Sequence, residues 1–256
     1  MKRLLLLFIS IILGFRIYSQ DRFFVSFEAS PIYSYRSYKL IDYSNGNSNF
    51  PSGKILYNDF KHYCDSIESP KFGYNFGFNI GYGLTDKFSI IIGIHYKKIG
   101  YKINMNFPVA HFVYNGYIQP IYSEYQKLDL YSNLYYIGIP IGFQYKVYSI
   151  NRFNIGLNIC SSLDLLIKHD TKYLPSPNTK SKEDYSDYSK MAIDINGGIQ
   201  LGYMINDKFE VYLMPHFSDY ITSNVKVNAI LTDDFFVKIN QYNYYGDIII
   251  GFKYKL

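Results

Sequence analysis

Hydrophobic and polar residues alternate along most of this chain with a period of two. Between positions 73 and 84, Tyr74, Phe76, Phe78, Ile80, Tyr82 and Leu84 fall on one parity, and Gly73, Asn75, Gly77, Asn79, Gly81 and Gly83 on the other. Successive side chains of a strand point to opposite faces, so this stretch predicts a strand with one bulky apolar face and one nearly bare face. The pattern returns over 88–96, where only Ile91 is out of place, and over 23–29, 137–147, 153–165, 193–205, 209–217 and 248–256. Eight strands are expected.

The connections alternate as well. Those at 85–87, 149–152 and 206–208 are tight, whereas those at roughly 36–70, 102–126, 169–190 and 219–241 are long, polar and rich in Tyr. Short turns on one side and long loops on the other are the arrangement of an outer-membrane barrel. Each tight connection ends in a cation followed by Phe, at Lys87-Phe88, Arg152-Phe153 and Lys208-Phe209, which places aromatic rings at one level as a girdle does. A soluble sandwich or barrel would carry charges on its second face. The clearest strand has only Gly and Asn there, and 18% of the chain is charged. The expected fold is therefore all-β, an eight-stranded antiparallel up-and-down transmembrane β-barrel with short periplasmic turns and long extracellular loops. Closure leaves no free edge to excuse a missing N–H, so Pro31, Pro140 and Pro215 are expected to mark bulges or strand ends near the rim.

Composition changes this picture in two places. A content of 48% hydrophobic and 20% aromatic residues, with 30 Tyr, 20 Phe and no Trp, excludes a disordered chain. The mean hydropathy is only −0.11 because apolar residues occupy every second position. No run approaches the ~20 apolar residues of a membrane helix. The first twenty residues differ: Lys2 and Arg3 precede an apolar run over 4–13, and Tyr18-Ser19-Gln20 close it before Asp21. This reads as an export signal over 1–20, followed by a barrel domain over 21–256. Removing 1–20 takes away Lys2, Arg3 and Arg16, lowering the formal charge from +5 to +2 over the remaining 236 residues. A case for nucleic acid as partner then has no support.

The run Leu134-Tyr135-Tyr136-Ile137-Gly138-Ile139-Pro140-Ile141 resembles the fourth-strand motif of the PorT-like outer-membrane β-barrel family of Bacteroidetes. The leader, the strand count and the final Ile250-Gly251-Phe252-Lys253-Tyr254 are similar too, so the resemblance covers essentially the whole chain after the leader. It implies an outer-membrane location and no known catalytic residues; no cofactor is expected, because the chain carries no phosphate loop, paired-Cys zinc pattern or haem motif. For some relatives it implies service in protein secretion across the outer membrane. Leu256 departs from the terminal Phe common in outer-membrane barrels, while Phe252 and Tyr254 keep the alternating apolar end.

If the apolar parity faces lipid, the lumen receives Glu28, His95, Lys97, Lys146, Asp164, Asp194, Glu210, Asp247, Lys253 and Lys255. Eight strands enclose a space that side chains about fill, so these groups are expected to pair in a structural plug, with a gated small-ion path as the functional alternative. His216-Phe217-Ser218 offers an enzymatic alternative. It resembles the His-aromatic-Ser element of outer-membrane lipid A deacylases, in which His activates Ser against an ester. Against it stands an internal repeat. The hairpin at 81–96 aligns with 202–217 at a constant spacing of 121 residues, matching Phe88 to Phe209 and His95 to His216 but Ser218 to Lys97. An architectural His near the rim is the plainer expectation. No Glu follows to orient the base, and Asp219, Asp233 and Asp234 are the nearby acids.

Other chemistry is sparse. Cys64 and Cys160 are expected to be free thiols, and His62-Tyr63-Cys64-Asp65 a solvated loop segment rather than a metal site. A specific role falls to the outer loops, whose Tyr33, Tyr35, Tyr38, Tyr114, Tyr117, Tyr122, Tyr125, Tyr185, Tyr188, Tyr242, Tyr244 and Tyr245 belong either to a binding surface or to the aromatic belt. The expected role is a scaffold or binding module, not an enzyme. Its partners would be outer-membrane lipid and a protein at the extracellular loops or in a secretion assembly.

Overall fold

The computed structural model describes residues 22–45, 66, 68–111, 121–174, 188–223, 225–232 and 235–256. The leader at 1–20, Cys64, the segment 62–65, Tyr114, Tyr117 and Tyr185 lie outside these residues.

Among the described residues alternation becomes nine strands: β1 (Phe23–Asn45), β2 (Glu68–Gly83), β3 (Phe88–His111), β4 (Ile121–Ile150), β5 (Phe153–Leu174), β6 (Met191–Met204), β7 (Phe209–Tyr220), β8 (Val225–Thr232) and β9 (Phe235–Lys255). Neighbours are antiparallel, and β1 pairs with β9 to close the barrel, whose eight members are β1–β7 and β9. The short β8 pairs only with the outer part of β9, above β7.

Inward residues step around this barrel in a ring of large and small. From Glu28 the ladder passes through Gly77, His95, Gly138 and Asp164 to Ala192 on β6. In the other direction it passes through Gly251 and Tyr212 to Gly202, also on β6. The circuit thus closes ten residues out of step. A stagger of ten over eight strands gives a tilt of about 40° from the usual rise and strand spacing. The glycines exist because of the large neighbours. A Cβ at Gly77 would enter the His95 ring, at Gly251 the Tyr212 ring, at Gly202 the Glu210 carboxyl, and at Gly138 the Asp164 carboxyl.

Outward residues form an apolar band bounded by rings at both ends. On β3 the sequence Phe88, Ile90, Ile92, Ile94, Tyr96 spans it, and Ile94 is 60% exposed on the outer wall, where an apolar side chain suits lipid. The periplasmic girdle pairs Phe23 with Tyr82, Phe88 with Phe143, Phe153 with Tyr203 and Phe209 with Phe252. The outer girdle pairs Tyr33 with Phe72, Tyr35 with Tyr244 and Tyr74 with Tyr96. The internal repeat extends to turn chemistry. Thr85 Oγ1 accepts the N–H groups of Lys87 and Phe88, and Asn206 Oδ1 those of Lys208 and Phe209. Asn151 takes the left-handed conformation the third turn needs, with φ of 52°.

Three expectations are corrected. The segments read as long loops are in large part strand: β3 and β4 stay paired out to His111 and Ile121, and β1, β9 and β8 form a three-stranded ribbon above the barrel. Tyr favours strands, and an extended pair satisfies backbone groups that a loop would leave to water. The prolines mark neither bulges nor strand ends. The β1–β9 ladder goes from Ala29 opposite Ile250 to Ile32 opposite Asp247 without a slip, and gaps without slips occur likewise at Pro140 against β3 and Pro215 against β6. On the other side each stays paired: Pro31 with Tyr74, Pro140 with Ser162, Pro215 with Ile248. A strand residue directs its N–H to one neighbour only, so Pro removes one rung from one ladder. Finally, Tyr188 and Tyr245 are buried inside the barrel, not displayed on its outer loops.

Candidate functional site

The lumen is the place where chemistry-bearing side chains converge, and it is filled in layers. At the periplasmic end lies a vestibule of about 360 Å³ lined by Arg22, Lys87, Lys146, Lys253 and Lys255 against Asp86 and Glu210. Its inner wall is a bonded chain: Lys253 Nζ donates to Gln144 Oε1 at 2.8 Å, the Gln144 amide donates to Gln200, and Gln200 donates to Glu210 at 3.0 Å. Lys253 also lies 4.8 Å from the centre of the Phe24 ring, which closes the vestibule inward.

Above it, Tyr212 donates its hydroxyl to Glu28 at 2.6 Å, and His95 Nε2 stands 3.7 Å from the other Glu28 oxygen. Cys160 faces inward here as a free thiol, 2.9 Å from Asn158 Oδ1. A cavity of about 20 Å³ follows, bordered by Asn79, Asn158, Asn196, His95 and His216. That is room for about one water.

The third layer is the most buried. Lys97 Nζ lies 2.7 Å from Asp164 Oδ2 and 2.7 Å from Asp194 Oδ2, with the three side chains at most 2% exposed. One cation cannot balance two carboxylates, so neutral donors complete them. Ser162 Oγ and Tyr220 OH donate to Asp164; Asn196 Nδ2 and the Ser162 N–H donate to Asp194. Rings of Tyr220 and Tyr245 flank the ammonium at 5.9 and 5.8 Å. Beyond them Ile32, Ile99, Leu134, Tyr136, Tyr188 and Ala192 form an apolar seal. At the top Arg36 bonds Glu68 through Nε at 2.8 Å and Nη2 at 2.7 Å while its guanidinium lies 3.5 Å over the Tyr101 ring.

Every residue expected in the lumen is placed there: Glu28, Lys97, Asp164, Asp194, Glu210, Asp247 and Lys253 are buried, and His95, Lys146 and Lys255 partly so. They do not form one network. Lys253 and Glu210 belong to the vestibule, Glu28 and His95 to the second layer, and Lys97 with its aspartates to the third. Counting only ionisable residues on the inward parity missed Tyr136, Tyr212, Tyr220 and Tyr245, which supply ring bulk and hydroxyls. Each shares parity with an inward Gly or acid on its own strand, which is the signal that could have found them.

The His216 and Ser218 pair is brought to the same side of β7 but not into a catalytic arrangement. Both histidines line the mid-lumen cavity, so the expected place near the rim is corrected. The acid that orients His216 is Asp247, directly opposite on β9 and 2.7 Å from Nδ1; Asp233 and Asp234 lie outside the described residues. Nε2 faces Asn196 Oδ1 at 3.2 Å rather than Ser218. Ser218 is fully buried, and its Oγ has no hydrogen-bond partner among the described residues. An acyl ester in the bilayer cannot reach a hydroxyl enclosed on all sides. Among the described residues no group of three His, Cys, Asp or Glu is disposed to hold a metal.

The family model described as an outer membrane protein beta-barrel domain matches residues 46–218. Solved structures with similar folds include the Neisserial surface protein A (13% identity, TM-score 0.41, covering 91% of this chain and 97% of that one). They also include the outer membrane protein OprG from Pseudomonas aeruginosa (13%, 0.38, 93% and 97%) and the outer membrane protease OmpT from Escherichia coli (10%, 0.39, 92% and 97%). No curated protein matches the chain.

Proposed function

Because the chain belongs to the outer membrane protein beta-barrel domain family, and so resides in the outer membrane, we propose that it is a non-catalytic, non-conducting anchor that presents a binding surface outside the cell. One observation carries this reading: the lumen is sealed by successive layers, whereas the strands run on far past the bilayer. A membrane strand needs about 9–11 residues, and β4 alone has 30. The surplus stands as two ribbons, β3 with β4 and β8 with β9 and β1. Such ribbons hold rim residues in fixed register, which lowers the ordering cost of binding. The resemblance to PorT-like barrels suggests that the partner is a protein of a secretion assembly.

Replacing 105–127 by a tight turn tests the reading. The barrel should remain heat-modifiable in detergent gels, while a partner cross-linked to the full chain in the membrane should be lost. An unchanged cross-linking pattern would place the function elsewhere. The hydrolase alternative has its own test: Ser218→Ala should leave the ester content of outer-membrane lipid unchanged.

A further inference from the structure

One rung of the barrel near its outer rim carries an arrangement that the anchor reading does not use. Tyr74 on β2, Lys98 on β3, Tyr135 on β4 and Lys168 on β5 are consecutive partners across the sheet. All four point outward, two residues beyond Phe76, Tyr96 and Ile137 of the lipid-facing band. Lys168 faces outward only because the ladder slips by one residue between Tyr135 and Tyr136, which re-aims it and turns His169 in toward Ser132 and Tyr188. The two ammoniums approach the same ring, Lys98 at 5.8 Å and Lys168 at 5.3 Å from the centre of Tyr135. Lys98 also lies 5.7 Å from the centre of Tyr74.

The next outward-facing rung but one repeats the motif. Lys102, Tyr131 and Lys172 are consecutive partners, and Lys71 lies 5.5 Å from the Tyr131 ring. Lys102 has Asp129 at 3.6 Å, Asp170 lies between Lys168 and Lys172 along β5 and acts on Lys71 and Tyr135, and Lys71 Nζ donates to the Ser132 carbonyl at 2.9 Å. Among the described residues none of Lys71, Lys98, Lys168 and Lys172 has a carboxylate within 4.0 Å. Two aspartates do not offset five lysines, and the surplus like charges gathered around shared rings repel unless a further anion lies between them. The corresponding outward positions elsewhere are Tyr33 and Tyr35 on β1, Phe217 on β7 and Tyr244 on β9, with no lysine. The paired lysine–tyrosine rungs lie on β2–β5, just above the apolar band, where the headgroups of the outer leaflet lie.

We propose that the Lys98–Tyr135–Lys168 rung is a binding site for a phosphate of an outer-leaflet glycolipid, with Lys172 reaching the outer part of the same headgroup. Two ammoniums supply charge-assisted hydrogen bonds to phosphate oxygens, and the tyrosine ring fixes the spacing between them. The lipid chains lie along Ile94, Ile137 and Leu165 below.

The site does not depend on the proposed protein partner, and the two can fail separately. Full-length protein in mild detergent is titrated by native mass spectrometry with bisphosphorylated lipid A, with the same lipid after complete dephosphorylation, and with inorganic phosphate as competitor. Bisphosphorylated lipid A should bind at least tenfold tighter than the dephosphorylated form. The double variant K98Q/K168Q should weaken it at least fivefold, and K87Q/K208Q in the periplasmic turns should not. Equal affinity for the two lipids, equal loss in both double variants, or full displacement by millimolar inorganic phosphate would overturn the proposal. If K98Q/K168Q does not give the heat-modifiable band of a folded barrel, the comparison of the two lipids on the unaltered protein decides alone.

Discussion

Lys97 shows what a single residue must satisfy in this lumen. Removing one partner of a buried ion pair leaves an uncompensated charge and costs about 3–5 kcal/mol, whereas replacing the whole group by neutral residues can be nearly neutral. Lys97→Met should therefore lower the midpoint of the heat-modifiable transition sharply, because it strands both Asp164 and Asp194. Adding Asp164→Asn and Asp194→Asn to it should restore most of the loss; a triple variant no better than the single one would show that packing, not charge, dominates. Gly138 makes the converse case. Its missing side chain leaves room for the Asp164 carboxyl and the Ser162 hydroxyl, so Gly138→Val should cost about 1–3 kcal/mol by overpacking in the same melting measurement. The occurrence of Gly on the inward parity is legible in the sequence. Which large residue each one accommodates is not, because that neighbour sits on another strand.

Strands show the same division. Period-two alternation predicts eight crossings and the tight turns, and all eight form. Alternation does not predict the outer continuations of β1, β3, β4 and β9, where polar and Tyr-rich sequence conceals the pattern and backbone pairing alone sustains the strand. Nor does it predict that Pro31, Pro140 and Pro215 cost one rung each without bending the sheet. The turns are testable at this scale. Asn206→Ala removes the acceptor of two N–H groups and should cost about 1–2 kcal/mol, read as a lower urea midpoint for refolding into detergent micelles. Thr85→Val should act alike if the repeated hairpins share one turn chemistry. Opposite effects of the two variants would end that equivalence.

At the scale of the whole molecule the sealed lumen makes a direct prediction. Reconstituted in a planar bilayer, the protein should show no discrete conductance steps, since the cavity between His95 and His216 in the central lumen holds only about 20 Å³ and buried layers lie on either side of it. Regular channel openings would contradict the layered plug. Residue order is enough to make this chain a membrane β-barrel with a bare, polar inward face, because strand parity is a local property carried by each residue and its neighbours. Tertiary structure decided which inward groups meet: that Asp247 rather than a loop acid orients His216, that Lys97 lies between two aspartates, and that Tyr245 is a lumen residue. It also decided that Lys168 turns outward beside Lys98. Those pairings depend on ladder register, on a stagger of ten residues around the circuit and on a one-residue bulge. Such quantities are set only when eight strands close on one another.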